Sequence, residues 1–369
     1  MDEEFFSKYN KAKAKAVGIP GVTMNQPIVQ NAFEGTIGLE LEIEAKNPLP
    51  RDGHLDYASP ITKTRWVGVA DGSLRGESRE YIFSGPAKRE EVPALVDLLF
   101  KSFKDLKSGV DNSNRCSTHV HINMKGRTVN ELTSIIALWC TFEEMLIEWN
   151  GEERVTNHFC LSNKNSLSLV QAWEQYLRYG HFPGMGETRN GLKYMAFNIL
   201  PLWTKGSFEI RCGGSPNAAD TVTTWATFVD TFVEYAVKNY ADPTAIATDL
   251  SERGGYAIFS DICKGLPTFL SEVVGDQEVF NQRCLDGFRI VQPLVLGFPW
   301  GAWLELIKKE YIPNPFEKPK KIKPAMSLRD AEALTRMARE AGRAQPRRAI
   351  DAWEPAPPAG LGWVTARPN

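Results

Sequence analysis

The sequence has no Cys-x-x-Cys pair, no long apolar run and no surplus of charge of either sign, and each absence removes a class of function. The six cysteines, at 116, 140, 160, 212, 263 and 284, are too scattered for a zinc ribbon or a thioredoxin-type redox motif. They read as reduced and mostly buried. No stretch approaches the roughly 18 apolar residues that a membrane span needs. The opening MDEEFFSKYN is acidic and carries no apolar signal-peptide core. The expectation is a cytoplasmic protein without a membrane partner. With 43 basic against 45 acidic residues, a formal charge of -2, the overall balance points to neither nucleic acid nor a lipid surface. There is no internal repeat.

What is present is enough for a sizeable core. The 369 residues are 43% hydrophobic and 24% charged, the profile of a folded globular chain, and allow one large catalytic domain with appendages or two ordinary domains. Residues 1–34 read as a polar N-terminal arm punctuated by Gly18, Pro20, Gly21 and Pro27. From 36 to 86 the text alternates in strand fashion, as GTIGLELEIE, TRWVGVADGSL and SREYIFSGP. Helical periodicity follows at about 90–107, where Gly109 is placed for a C-cap.

A short strand-like segment, STHVHINMKG, precedes an amphipathic helix at about 130–149 and another near 168–179. A glycine-rich loop at 180–191 then leads to a strand pair, KYMAFNILPLW and GSFEIRCGG. Residues 217–238 read as a helix with Asn217 as N-cap, and 241–312 as a helical C-terminal region. After Pro313 come a basic, proline-rich linker, a short charged helix and a proline-rich tail, 313–369, which the composition separates from the catalytic part.

Alternation gathers the polar residues on faces. Side chains two apart in a strand point the same way, so Glu40, Glu42 and Glu44 share one surface while Leu39, Leu41 and Ile43 share the other. The same spacing groups His119, His121 and Asn123 opposite Val120 and Ile122, and sets Glu209 beside Arg211 opposite Phe208, Ile210 and Cys212. Carboxylate oxygens suit Mg²⁺ or Mn²⁺, while two histidines with a glutamate also suit zinc. A neighbouring Glu and Arg is a surface ion pair in the plain reading, or a metal ligand beside a phosphoryl-neutralising guanidinium in the functional one. Glu80 shares its face with Ile82, and Asp71-Gly72-Ser73 is by itself a turn signature.

Each segment alone is also consistent with an ordinary amphipathic strand; their order is more specific. GLELE at 38–42, DGSL at 71–74 with EYIFSGP at 80–86, STHVHIN at 117–123, KYMAFNIL at 193–200 and FEIRCGGSPNAAD at 208–220 together resemble the amidoligases. These are carboxylate-amine ligases of the glutamine synthetase and glutamate-cysteine ligase superfamily, often encoded by bacteriophages. The resemblance covers roughly residues 35–240. It implies an α+β catalytic domain, a glutamine-synthetase-like curved antiparallel sheet with helices on its outer face, continued by the helical region at 241–312.

It implies further that ATP is used with Mg²⁺ or Mn²⁺ to join a carboxylate substrate to an amine substrate through an acyl phosphate. A protein, a peptide or a modified nucleobase would be a fitting substrate. By the same resemblance Glu40, Glu42, Glu80, His119 and Glu209 would hold metal. Arg211 and His121 would face the γ-phosphate as catalytic groups, and Arg154, Arg189 and Lys193 would add phosphate contacts. Asp71, Ser73, Tyr194 and Asn198 match positions near substrate. Two rival readings are a guanidino-kinase-like phosphotransferase on the same sheet and a non-catalytic scaffold that uses the basic linker and tail. The sequence leaves oligomeric state open.

Overall fold

Strand β1 (Ile37–Ala45) lies in the interior of a sheet that separates its two kinds of side chain. The structure is a computed structural model that describes residues 35–50, 66–83, 85–111, 113–124, 127–179, 191–203 and 205–298. The arm at 1–34, Arg189 with most of the glycine-rich loop, and the linker, helix and tail at 313–369 lie outside the described residues.

β1 is joined by β2 (Trp66–Val69), β3 (Glu77–Phe83), β4 (Val110–Asp111), β5 (Thr118–Asn123), β6 (Phe197–Asn198) and β7 (Ser207–Gly213). All pair antiparallel, in the order β2-β3-β1-β5-β7-β6, with the short β4 also on β1. Leu39, Leu41, Ile43, Val120, Ile122, Phe208, Ile210 and Cys212 are buried, as alternation requires of a face packed on helices.

Helix α1 (Val92–Asp105) follows a 3-10 turn at Arg89–Glu91, and the expected start at about 90 falls in that turn. Lys107, at φ 53, and Gly109, at φ 62, carry the chain away from its end. Helix α2 (Val129–Trp149) opens on a capping box. The Thr128 hydroxyl accepts from the Glu131 N–H at 3.2 Å, and the Glu131 carboxylate accepts from the Thr128 N–H at 2.6 Å. The short α3 (Glu152–Val155) and α4 (Ser168–Tyr179) follow, then α5 (Ala219–Asn239), α6 (Ala245–Ile262), α7 (Pro267–Val274) and α8 (Gln277–Leu296).

Helix α5 packs on β1, β5 and β7, and its Trp225, Val229, Phe232 and Val233 are buried. Each such side chain removed from water stabilises the fold by about 1.5–3 kcal/mol. Helix α2 is buried on nearly every side from Val129 to Ile147, so the one-sided amphipathic helix expected there is corrected. The reason is a second helical layer. Trp139 meets Phe197 of the sheet and Trp225 and Phe232 of α5, while Phe142 meets Phe259 of α6 and Phe280 of α8. Gly287 lets α8 approach closely: a Cβ there would stand 2.5 Å from the Cys140 carbonyl oxygen.

A buried Asp230 on α5 ties the start of the sheet to the helices, accepting from Thr36 Oγ1 at 2.9 Å and from Arg89 Nε at 2.7 Å. Two further expectations need correcting. Of KYMAFNILPLW only Phe197–Asn198 is strand, because the chain turns into a 3-10 helix at Leu200–Trp203. The N-cap of α5 is Ala218 rather than Asn217, with no side-chain cap. All six cysteines are free and buried, as expected.

Candidate metal centre

Directly opposed residues in antiparallel strands share a face, and the register decides which polar side chains meet. β1 and β5 set Glu40 opposite His119 and Gly38 opposite His121. β5 and β7 set His121 opposite Glu209, β6 sets Asn198 opposite Glu209, and β3 sets Glu80 opposite Glu42. Between Thr118 and Val120 the register slips, so that Arg211 and Cys212 together face His119. Such a bulge re-aims nearby side chains, and Arg211 stays with Glu209. Gly38 leaves room beside His121, since a Cβ there would come within 3.2 Å of the His121 Cβ.

Five side chains from three strands converge. His121 Nε2 is 3.2 Å from Glu40 Oε1 and 3.7 Å from Glu209 Oε1. His119 Nδ1 is 3.4 Å from Glu209 Oε1 and 3.7 Å from Glu40 Oε2, and its Nε2 is 3.7 Å from Glu42 Oε2. Glu40, Glu42, His119, His121 and Glu209 are all buried. Two cations balance the carboxylates: Lys205 Nζ sits 2.7 Å from Glu40 Oε1, and Arg211 donates an N–H to Glu209 Oε1 at 2.7 Å. Asn198 Nδ2 donates to Glu209 Oε2 at 2.6 Å.

The donor set fits a divalent cation. Ligand atoms about 2.0–2.2 Å from a Mg²⁺-sized ion stand about 3 Å apart when adjacent and about 4.2 Å when opposed. Separations of 3.2 and 3.7 Å within Glu40, His121 and Glu209 lie in that interval. The buried nitrogens His119 Nδ1 and His121 Nε2 have no hydrogen-bond partner, an arrangement that costs free energy unless something else engages their lone pairs.

Electrostatics prepares the same atoms. Burial pushes the His121 pKa down and the nearby Lys205 charge pushes it further, favouring the neutral imidazole that a metal needs. Burial is the largest single effect on Glu209 and works against its charge, yet the Arg211 guanidinium together with His121 and His119 outweighs it and holds this carboxyl well below the usual range. For Arg211 burial is again the opposing effect. Glu209, Glu42 and Glu40 outweigh it and raise its pKa.

The other sequence candidates divide. Arg154 is buried and donates to the Arg211 carbonyl oxygen at 2.9 Å, a supporting contact for β7. Lys193 is exposed and lies over the Tyr194 ring, 5.5 Å from its centroid. Asp71 Oδ1 accepts from both the N–H and the hydroxyl of Ser73 at 2.6 Å, which closes a local turn. Glu44 and Glu77 accept from the backbone N–H groups of Arg75 and Leu49. Three contributors had no sequence signal: Lys205 in a turn before β7, and Ser117 and Ser207, which contact His119 Nε2 at 2.7 Å and His121 Nδ1 at 3.1 Å.

No protein-family model matches the chain, and no curated protein matches it. Among the described residues, no helix is long and apolar enough to cross a membrane.

Proposed function

We propose that the chain is an ATP- and divalent-cation-dependent carboxylate-amine ligase, with a glutamine-synthetase-like sheet as its catalytic surface. One observation carries the reading: Glu40, His121 and Glu209 form a buried triad on one face of an antiparallel sheet, with Arg211 held against its third member. Phosphoryl transfer asks a protein mainly for positioning and charge neutralisation, which this set of groups supplies.

Glu40, His121 and Glu209 would hold Mg²⁺ or Mn²⁺, with His119 and Glu42 beside them and Glu80 across the strand pair from Glu42. A bound cation supplies positive charge to the phosphate oxygens of ATP. Arg211 is charged and one bond from the triad, so it is the group suited to neutralise the phosphoryl as it transfers. A substrate carboxylate oxygen bonds to the γ-phosphorus while the bond to ADP breaks. The amine nitrogen then bonds to the acyl carbon, the carbon–oxygen bond to phosphate breaks, and the nitrogen loses a proton to leave the amide.

The test is interception of the acyl phosphate. Carboxylic acids are screened with ATP, Mg²⁺ and hydroxylamine, scoring ADP release and hydroxamate together. The ligase reading expects hydroxamate wherever an acid supports ADP release. ADP release on guanidino substrates with no hydroxamate would instead support the phosphotransferase, and would overturn this reading.

A further inference from the structure

The relay His119–Ser117–Glu42 decides which nitrogen of His119 can bind a cation, and Ser117 has no place in the site as read from the sequence. His119 Nε2 and Glu42 Oε2 are 3.7 Å apart, too far for a direct hydrogen bond. The Ser117 hydroxyl spans the gap, touching His119 Nε2 at 2.7 Å and donating to Glu42 Oε2. All three residues are buried. A carboxylate offers only acceptor atoms, and a serine hydroxyl has a single proton. With that proton committed to Glu42, Ser117 can only accept from His119.

We propose that Ser117 is a positioning residue that fixes His119 as its Nε2–H tautomer, leaving Nδ1 as a lone-pair donor to the divalent cation. The inference rests on the metal reading given above. Three observations converge on it. His119 Nδ1 is buried without a hydrogen-bond partner. It faces Glu209 Oε1 at 3.4 Å and Glu40 Oε2 at 3.7 Å, the two carboxylates of the triad. Ser207 stands in the same relation to the second histidine, contacting His121 Nδ1 at 3.1 Å and leaving the unpartnered Nε2 to face Glu40 and Glu209. Each histidine is therefore held by a serine at one nitrogen and presents the other to the carboxylates. A group that holds the far nitrogen of a ligating imidazole sets its tautomer and its aim.

The experiment has two readouts that do not depend on turnover. In protein saturated with diamagnetic Mg²⁺, ¹⁵N spectra of the five histidines should show His119 protonated at Nε2 and without a proton at Nδ1. In Ser117→Ala that signature should be lost, and Mn²⁺ affinity, followed by the electron paramagnetic resonance of free Mn²⁺, should fall about 10- to 100-fold in a protein that still folds cooperatively. Ser117→Thr, which keeps the hydroxyl, should recover affinity and tautomer. A parent His119 protonated at Nδ1 overturns the inference without need of any variant. So does Ser117→Ala binding Mn²⁺ as tightly as the parent. A parent that binds no Mn²⁺ at all overturns the metal reading itself, and this inference with it.

Discussion

Lys205 Nζ lies 2.7 Å from Glu40 Oε1, the same carboxylate oxygen that stands 3.2 Å from His121 Nε2. A cation taking Glu40 and His121 as ligands must therefore compete with an ammonium already at that oxygen. Lys205→Ala removes the competitor. The side chain is about one-fifth exposed, so water and salt screen much of its charge. Mn²⁺ affinity without ATP should rise by about threefold to tenfold at low ionic strength and converge on the parent value as salt is added. Titration calorimetry at two salt concentrations checks both halves; equal affinities at low salt would show that Lys205 is no competitor.

Glu40 is the carboxylate at which the cluster closes, one oxygen toward His121 and Lys205 and the other toward His119. Glu40→Gln preserves shape and removes the charge. Mn²⁺ affinity should drop more than about 100-fold, beyond what losing a supporting contact costs, and ADP release should vanish. The thermal midpoint should stay within a few degrees, since β1 is held by its ladder on both sides and by the packing of Leu39 and Leu41. Wild-type Mn²⁺ binding by a folded Glu40→Gln protein would place the cation elsewhere.

Glu143 on α2 gives a test of stability that does not involve the site. It is buried, and burial raises its pKa from the usual 4.5 to about 7, although the Asn163 N–H and Trp139 Nε1–H donate to it. A carboxyl whose folded pKa is raised is favourable to folding below its unfolded pKa, and that contribution is lost as pH rises through the folded value. Over the window from 4.5 to about 7 the loss is about 3 kcal/mol. A half-turn of the Asn163 amide would put its unpartnered Oδ1 where Nδ2 now lies, 3.2 Å from Glu143 Oε1, giving the neutral acid an acceptor. Glu143→Gln should therefore match the parent near pH 4.5 and exceed it at pH 8 in urea unfolding. An identical pH slope in the two proteins would contradict the assignment.

Much of the polar face could be read from period two alone, because Glu40 and Glu42, His119 and His121, and Glu209 and Arg211 each share a face by spacing within a single strand. That His121 would meet Glu40 and Glu209 could not, since it depends on register and on the β-bulge opposite His119. Ser117 has the same parity as His119 and His121, but a serine carries no chemical signal until its partners are in view. Glu143 was hidden for a different reason. It lies in a helix that two layers bury on nearly every side, so its carboxylate follows no polar stripe. That Arg154 would be buried and donate to the Arg211 carbonyl oxygen could not be read either, since basic residues near a phosphate motif look alike in sequence. The segment at 193–203 misled because a hydrophobic run with strand-like composition is broken by a 3-10 turn at Leu200–Trp203.

If the proposed function holds, Arg211 is the residue at which binding and chemistry can be separated. Its guanidinium shares Glu209 Oε1 with the two histidines, at 2.7 Å against 3.4 Å from His119 Nδ1 and 3.7 Å from His121 Nε2. The residue is therefore coupled to the candidate metal ligands through Glu209. Charge on a transferring phosphoryl peaks in the transition state, so losing a donor aimed at it lowers kcat more than it weakens ATP binding. Arg211→Ala should reduce kcat by about 10²-fold or more, with a much smaller change in the KM for ATP. It also leaves the Glu209 charge without its strongest partner, so the Glu209 pKa should rise and Mn²⁺ should become the main counter-charge at that carboxylate. Mn²⁺ affinity in Arg211→Ala is thus expected to hold or increase while turnover collapses, a pairing that general damage to the site would not produce. Arg211→Lys should restore only part of the rate, because a point ammonium lacks the planar fork that engages Glu209 and phosphate oxygens together. If Arg211→Ala turns over as fast as the parent, or loses rate and Mn²⁺ affinity in equal measure, Arg211 acts through the structure of β7 and not on the phosphoryl group.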